Sequence, residues 1–173
     1  PFTIFAYQIY KDKNKEKLSS KYNFTITNFE NDKKIDAKLI MHEIIIAKDK
    51  TYSPLALYFL IDNNIEASND EINNYFDILI NDINLDIEIK NLNIYKKAVF
   101  NSEFVEEQKL IEILRPILNS NSIWKSHSLL LLADYFYFKN NKEEAKKLLN
   151  EIIINKNSNQ EIKIEAQKKL TRD

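Results

Sequence analysis

Residues 124–155 read WKSHSLLLLADYFYFKNNKEEAKKLLNEIIIN, and this stretch decides the fold. Leu132-Ala133 is followed three residues later by Phe136, and Ala145 stands twelve residues after Ala133. Leu149 and Ile152 lie one and two turns beyond Ala145. These spacings put small and large apolar side chains on one face of each of two consecutive helices. The small Ala133 lets the second helix approach closely, and Ala145 faces it from the other side. Between the two runs, Asn140-Asn141 marks a turn, since Asn is the best substitute for glycine in a left-handed helix cap. Glu143 and Glu144 then place negative charge in a first helical turn, where it complements the helix dipole. The expectation is a hairpin of two packed helices.

The same pattern recurs upstream. Ala98 precedes Ala133 by 35 residues, and Leu110 and Leu114 then take the positions of Ala145 and Leu149. A step back from Ala98 to Ala56 takes 42 residues, with the polar stretch Asp62–Asp70 holding the excess. In that frame Phe76 and Ile80 fall on the second helix. A repeat of about 34 residues built this way resembles the tetratricopeptide class. The departures are Asn140-Asn141 for the usual glycine, Leu129 at the usual Trp position, and no closing proline near Asn157.

Elsewhere, apolar residues also recur at spacings of three and four. A long helix is expected over residues 3–30, with Leu18, Tyr22, Ile26 and Phe29 on one face. The second, about 32–48, carries Ile35, Leu39, Ile45 and Ile46. The third starts near Ser53-Pro54, Ser capping and Pro taking the first helical position. Ser68-Asn-Asp-Glu71 is a capping box for the fourth, whose stripe is Ile72, Tyr75, Phe76, Leu79 and Ile83. The fifth, about 86–101, carries Ile89, Leu92, Tyr95, Ala98 and Val99; the sixth, about 104–118, carries Leu110, Ile113, Leu114 and Ile117, with Pro116 kinking or ending it. A last helix, about 159–171, sets Ile162, Ala166 and Leu170 against Lys163, Lys168 and Lys169, as a terminal cap of a repeat array requires. No segment alternates convincingly. The expected fold is all-α: about eight to nine helices in tetratricopeptide-like hairpins, an α-solenoid.

Composition excludes several functions. The formal charge is −1, so no global field favours nucleic acid. Glycine is absent, which removes phosphate loops, dinucleotide fingerprints and nucleophile elbows, all of which need its backbone freedom. Cysteine is absent, removing disulfides, thiolate metal sites and cysteine nucleophiles. The two histidines, His42 and His127, have no second ligand at metal spacing. Ser126 and Ser128 flank His127, but helical neighbours point about 100° apart and form no nucleophile–base pair. No cofactor or enzyme activity is expected.

The chain opens on Pro1 rather than Met, which suits a fragment or processed form. Residues 1–10 are almost all apolar or aromatic, and Lys11, Lys13, Lys15 and Lys17 follow. Ten residues are too few to span a bilayer, which takes about twenty. They are read either as the last turns of a membrane span, with Tyr7 and Tyr10 as interfacial anchors, or as the start of an amphipathic first helix. Residues 1–30 are thus taken as an N-terminal helix with its juxtamembrane segment, and 31–173 as the repeat domain.

Three features together resemble the ancillary Sec-translocon subunit family of bacteria. They are the apolar-then-charged N-terminus, the helix start Tyr52-Ser-Pro-Leu-Ala56, and a terminal repeat ending in a short charged helix. The resemblance implies one membrane span at the bacterial inner membrane and a periplasmic domain. It also implies association with translocon subunits, chaperones or exported chains, without catalysis. Lysines just after a span, however, favour the cytoplasmic side. Alternatives are a scaffold of another envelope complex, in outer-membrane assembly or cell division, and an all-α enzyme whose site is unrecognised.

First helices of such hairpins line a concave face. Its candidate residues are His127, Leu130, Asp134, Tyr137 and Phe138 in the last repeat, and Leu92, Tyr95 and Val99 in the one before. Exposed Tyr and Phe there would anchor a peptide or partner helix. Tyr137 and Phe138 packing on a neighbouring repeat is the alternative.

Overall fold

The computed structural model describes residues 2–30, 36–65 and 67–171. Among them nine α-helices form and no strand: α1 (Phe2–Glu30), α2 (Ala37–Ile46), α3 (Tyr52–Asp62), α4 (Asn69–Asp77), α5 (Ile87–Asn101), α6 (Glu107–Leu118), α7 (Lys125–Phe138), α8 (Lys142–Ile154) and α9 (Gln160–Thr171). A π-helical turn, Ile78–Asp82, prolongs α4. The chain divides into two compact units, Pro1–Leu85 and Asp86–Asp173.

The first unit holds α1–α4. α1 packs on α2 and α3 through its C-terminal half, where Tyr22 and Phe29 meet the ring of Phe59 at 6.5 and 5.3 Å. Thr25 and Asn28 are buried on the same face, returning their side-chain hydrogen bonds to the carbonyls of Lys21 and Phe24. The described side chains from Ile4 to Lys17 are all exposed. α2 buries Ala37, Met41, Ile44 and Ile45. Leu39 and Ile46, expected inside, are exposed. Leu39 lies about 200° round the helix from Ala37, and Ile46 turns about 100° off Ile45. Ile35 lies outside the described residues.

α3 begins at Tyr52, two residues before the expected first position Pro54, and Ser53 is not its cap. The Asp49 carboxylate accepts from the backbone N–H of Thr51 and Tyr52, while buried Ser53 Oγ donates to the Ile44 carbonyl at 2.9 Å. The capping box at Ser68 forms, its Oγ accepting from the Glu71 N–H at 3.1 Å. All five expected stripe residues are buried, Ile72, Tyr75 and Phe76 in α4, Leu79 in its π-turn and Ile83 just past it. α3 packs mainly on α2 and only slightly on α4, consistent with the long polar connection between them.

The second unit runs α5–α9, each helix packed on the next, α7 with α8 most closely. Its core gathers Leu129, Leu130, Ala133, Leu149, Ile152 and Ala166. The aligned positions Ala56, Ala98 and Ala133 are all fully buried, as are Leu110 and Ala145. α7 ends as the sequence requires: Asn140 takes a φ of 65°, and the Asn141 N–H bonds back to the Phe136 carbonyl at 2.8 Å. Asn141 then caps α8, accepting from the Glu144 N–H. Pro116 falls in the last turn of α6, which ends two residues later.

One face of α5 departs from expectation. Ile89 and Val99 are exposed, and the inward stripe is Asn91, Ile94, Ala98 and Asn101. That stripe has the regular spacing of three and four, but amides occupy half of it. Asn93 and Asn101 satisfy their amides on the carbonyls four residues back, at 2.8 and 2.7 Å.

Candidate protein-binding site

α5 and α7, the first helices of the second unit's two hairpins, touch only locally. The candidate residues sort into three environments. Leu130 belongs to the core, so it offers no binding surface; Tyr137 is half-buried against the same cluster. Leu130 follows His127 by three residues and Tyr137 follows Leu130 by seven, and the two face α8 and α9.

Tyr95 and His127 gather around Trp124. The Tyr95 and Trp124 rings stack at 5.6 Å and 23°, and His127 lies 5.1 Å from Trp124. His127 Nδ1 is buried with no hydrogen-bond partner among the described residues. Burial pushes the Tyr95 phenol up, and the charges of Asp134 and Glu165 add to the shift. A pocket of about 350 Å³ opens beside this cluster, lined by Ile123, Trp124, His127, Asn157 and Asn159. Leu92 is half-buried.

Val99, Asp134 and Phe138 are exposed, the last by 86%. Asp134 and Phe138 line a second pocket of about 450 Å³ with Ser102, Glu103, Leu131 and Tyr135. Its position follows from helix geometry. Leu131, Asp134, Tyr135 and Phe138 recur at three, four and seven residues, a stripe about 100° round the helix from the one that carries Leu130 and Tyr137. Tyr135 is fixed by its hydroxyl, which donates to the Val105 carbonyl at 3.2 Å. Lys139 Nζ lies 5.5 Å from the Tyr135 ring centre. Asp134 is held by Lys169 of α9 at 2.7 Å. Leu131, Tyr135, Ser102 and Glu103 were missed in the sequence, although the 131–138 stripe carries the signal for the first two.

A polar cluster in the first unit has a fastening role. Lys38 pairs with Glu71 at 2.9 Å, and Tyr75 donates its hydroxyl proton to the same carboxylate at 2.7 Å. His42 Nδ1 lies 2.8 Å from that hydroxyl, so this nitrogen carries the proton and donates. Hydrogen bonds from Lys38 and then Tyr75 hold the Glu71 carboxyl below the usual carboxylate range. Burial, with Glu71 beside it, pushes the Tyr75 phenol well above its own. These bonds join α2 to α4. Among the described residues no group of three potential ligands lies together to hold a metal.

No family model matches the chain, and neither does any curated protein or solved structure.

Proposed function

We propose that the chain is a non-enzymatic adaptor of tetratricopeptide-like helical hairpins, stacked as an α-solenoid, which binds a partner protein on the exposed face of α5 and α7. One observation carries this reading. Phe138 leaves almost its whole ring in water beside an apolar-walled pocket, where hydrophobic burial is available only to a partner. A buried aromatic anchor at the centre of an interface supplies much of its binding energy.

The partner in this reading is a component of protein export: a translocon subunit, a chaperone or an exported chain. The start of α1 supports a membrane tether, since Ile4, Phe5, Ile9 and Tyr10 are exposed ahead of the lysines at 11–17. Among the described residues no helix is long and apolar enough to cross a membrane. The tether therefore requires more apolar residues than α1 contains. A scaffold of another envelope complex uses the same face and differs only in its partner.

A photo-crosslinking residue in place of Phe138, in the native full-length protein in living cells, tests the proposal. Adducts with translocon subunits, chaperones or exported chains are expected. Adducts with outer-membrane assembly or division proteins would keep the adaptor and replace the partner. No adduct at 138, with one at Ile123, would move the binding face to the Trp124 pocket.

A further inference from the structure

The pocket beside Phe138 has a definite chemical bias. Its walls are Leu131, Tyr135 and Phe138, and its polar rim is Ser102, Glu103 and Asp134. Asp134 is already neutralised by Lys169. Glu103 is exposed and makes no ion pair among the described residues. Ser102 Oγ spends its proton on the Val99 carbonyl at 2.8 Å, leaving only acceptor capacity towards a ligand. The side-chain rim thus offers acceptors and one carboxylate, Glu103, without an ion-pair partner among the described residues. Glu106 and Glu107, at the start of α6, are likewise exposed and unpaired among the described residues.

We infer that this pocket takes a basic side chain, Arg or Lys, from a partner segment that lays an apolar neighbour on Phe138. The inference rests on the adaptor reading and specifies its partner. A long basic side chain matches both halves of the pocket, its apolar stem lying on Leu131 and Phe138 and its head reaching Glu103. An acidic side chain would meet Glu103 as a like charge. A purely apolar one would strip water from Glu103 without replacing its hydrogen bonds. Lys139, 5.5 Å from the Tyr135 ring, already makes the contact between a cation and an aromatic face that an incoming Arg would make on Phe138.

The test uses the full chain, isotopically labelled, and three peptides: acetyl-Ala-Arg-Leu-Ala-amide and its analogues with Gln or Glu in place of Arg. Amide shifts in residues 102–103 and 131–138 report binding. The Arg peptide is expected to bind about three- to fivefold more tightly than the Gln peptide, as for an exposed charge pair, with the Glu peptide weakest. Glu103→Gln should remove the advantage of Arg over Gln. Phe138→Ala should weaken both. Both side chains are exposed, so thermal melting should be unchanged in either variant. Equal binding of the Arg and Gln peptides at these amides would overturn the basic preference and leave the adaptor face standing. Shifts confined to the Trp124 pocket, or none at all, would overturn the assignment of this pocket itself.

Discussion

Ala133 sits where α7 meets α8 and α9, fully buried among Leu129, Leu149, Ile152 and Ala166. Any larger side chain there has to push two helices apart. Ala133→Trp should cost about 3 kcal/mol or more through overpacking, lowering the melting temperature by about 6–12 °C. Phe138→Ala, at an exposed ring, should leave melting within about 0.5 kcal/mol of the parent. Equal melting of Ala133→Trp and the parent would contradict the packing frame. Ala133, Ala145, Leu149 and Ile152 were legible because small and large apolar residues at helical spacing have one economical arrangement. Leu130 was not legible as core. It is one of four consecutive leucines, and periodicity alone does not say which of them turns outward.

Helix ends and faces show how local chemistry is read and where it hides. Asn140 holds a φ of 65°, in the left-handed region that costs an ordinary residue about 1–2 kcal/mol. Asn140→Gly should therefore stabilise the α7–α8 hairpin by about 0.5–1 kcal/mol, and Asn140→Ala should destabilise it by a similar amount. Chemical denaturation of the three proteins decides; no difference among them would mean that this cap is not formed in solution. Asn140 was recognisable because Asn is a known substitute at such caps. Lys48, which takes a φ of 55°, carries no comparable sequence signal. The inward stripe of α5 was hidden for a related reason. A buried Asn that bonds to the carbonyl four residues back looks the same in sequence as a solvated one. Pro54 marked the first turn of α3 but stands third in it rather than first, and the carboxylate that accepts from the leading N–H groups, Asp49, lies upstream of the expected Ser53.

At the scale of the molecule, the all-helical class and nearly every helix were readable, because 3.6-residue periodicity is strong in chains this rich in Ile and Leu. The proposed binding face was only half readable. Val99, Asp134 and Phe138 are exposed, whereas Leu130 is core and Tyr95 and His127 join Trp124 at a separate pocket. That division is a turn of about 100° round α7, one residue step, and within the run Leu129–Leu132 periodicity alone does not say which leucine faces the core. The central claim is that Val99 of α5 and Phe138 of α7 belong to one partner-binding surface. It is tested most directly by placing a photo-crosslinking residue at Val99 in the native full-length protein, with and without Phe138→Asp. A discrete protein adduct at Val99 is expected, abolished by Phe138→Asp while the melting temperature stays unchanged. An adduct that persists in Phe138→Asp would contradict it.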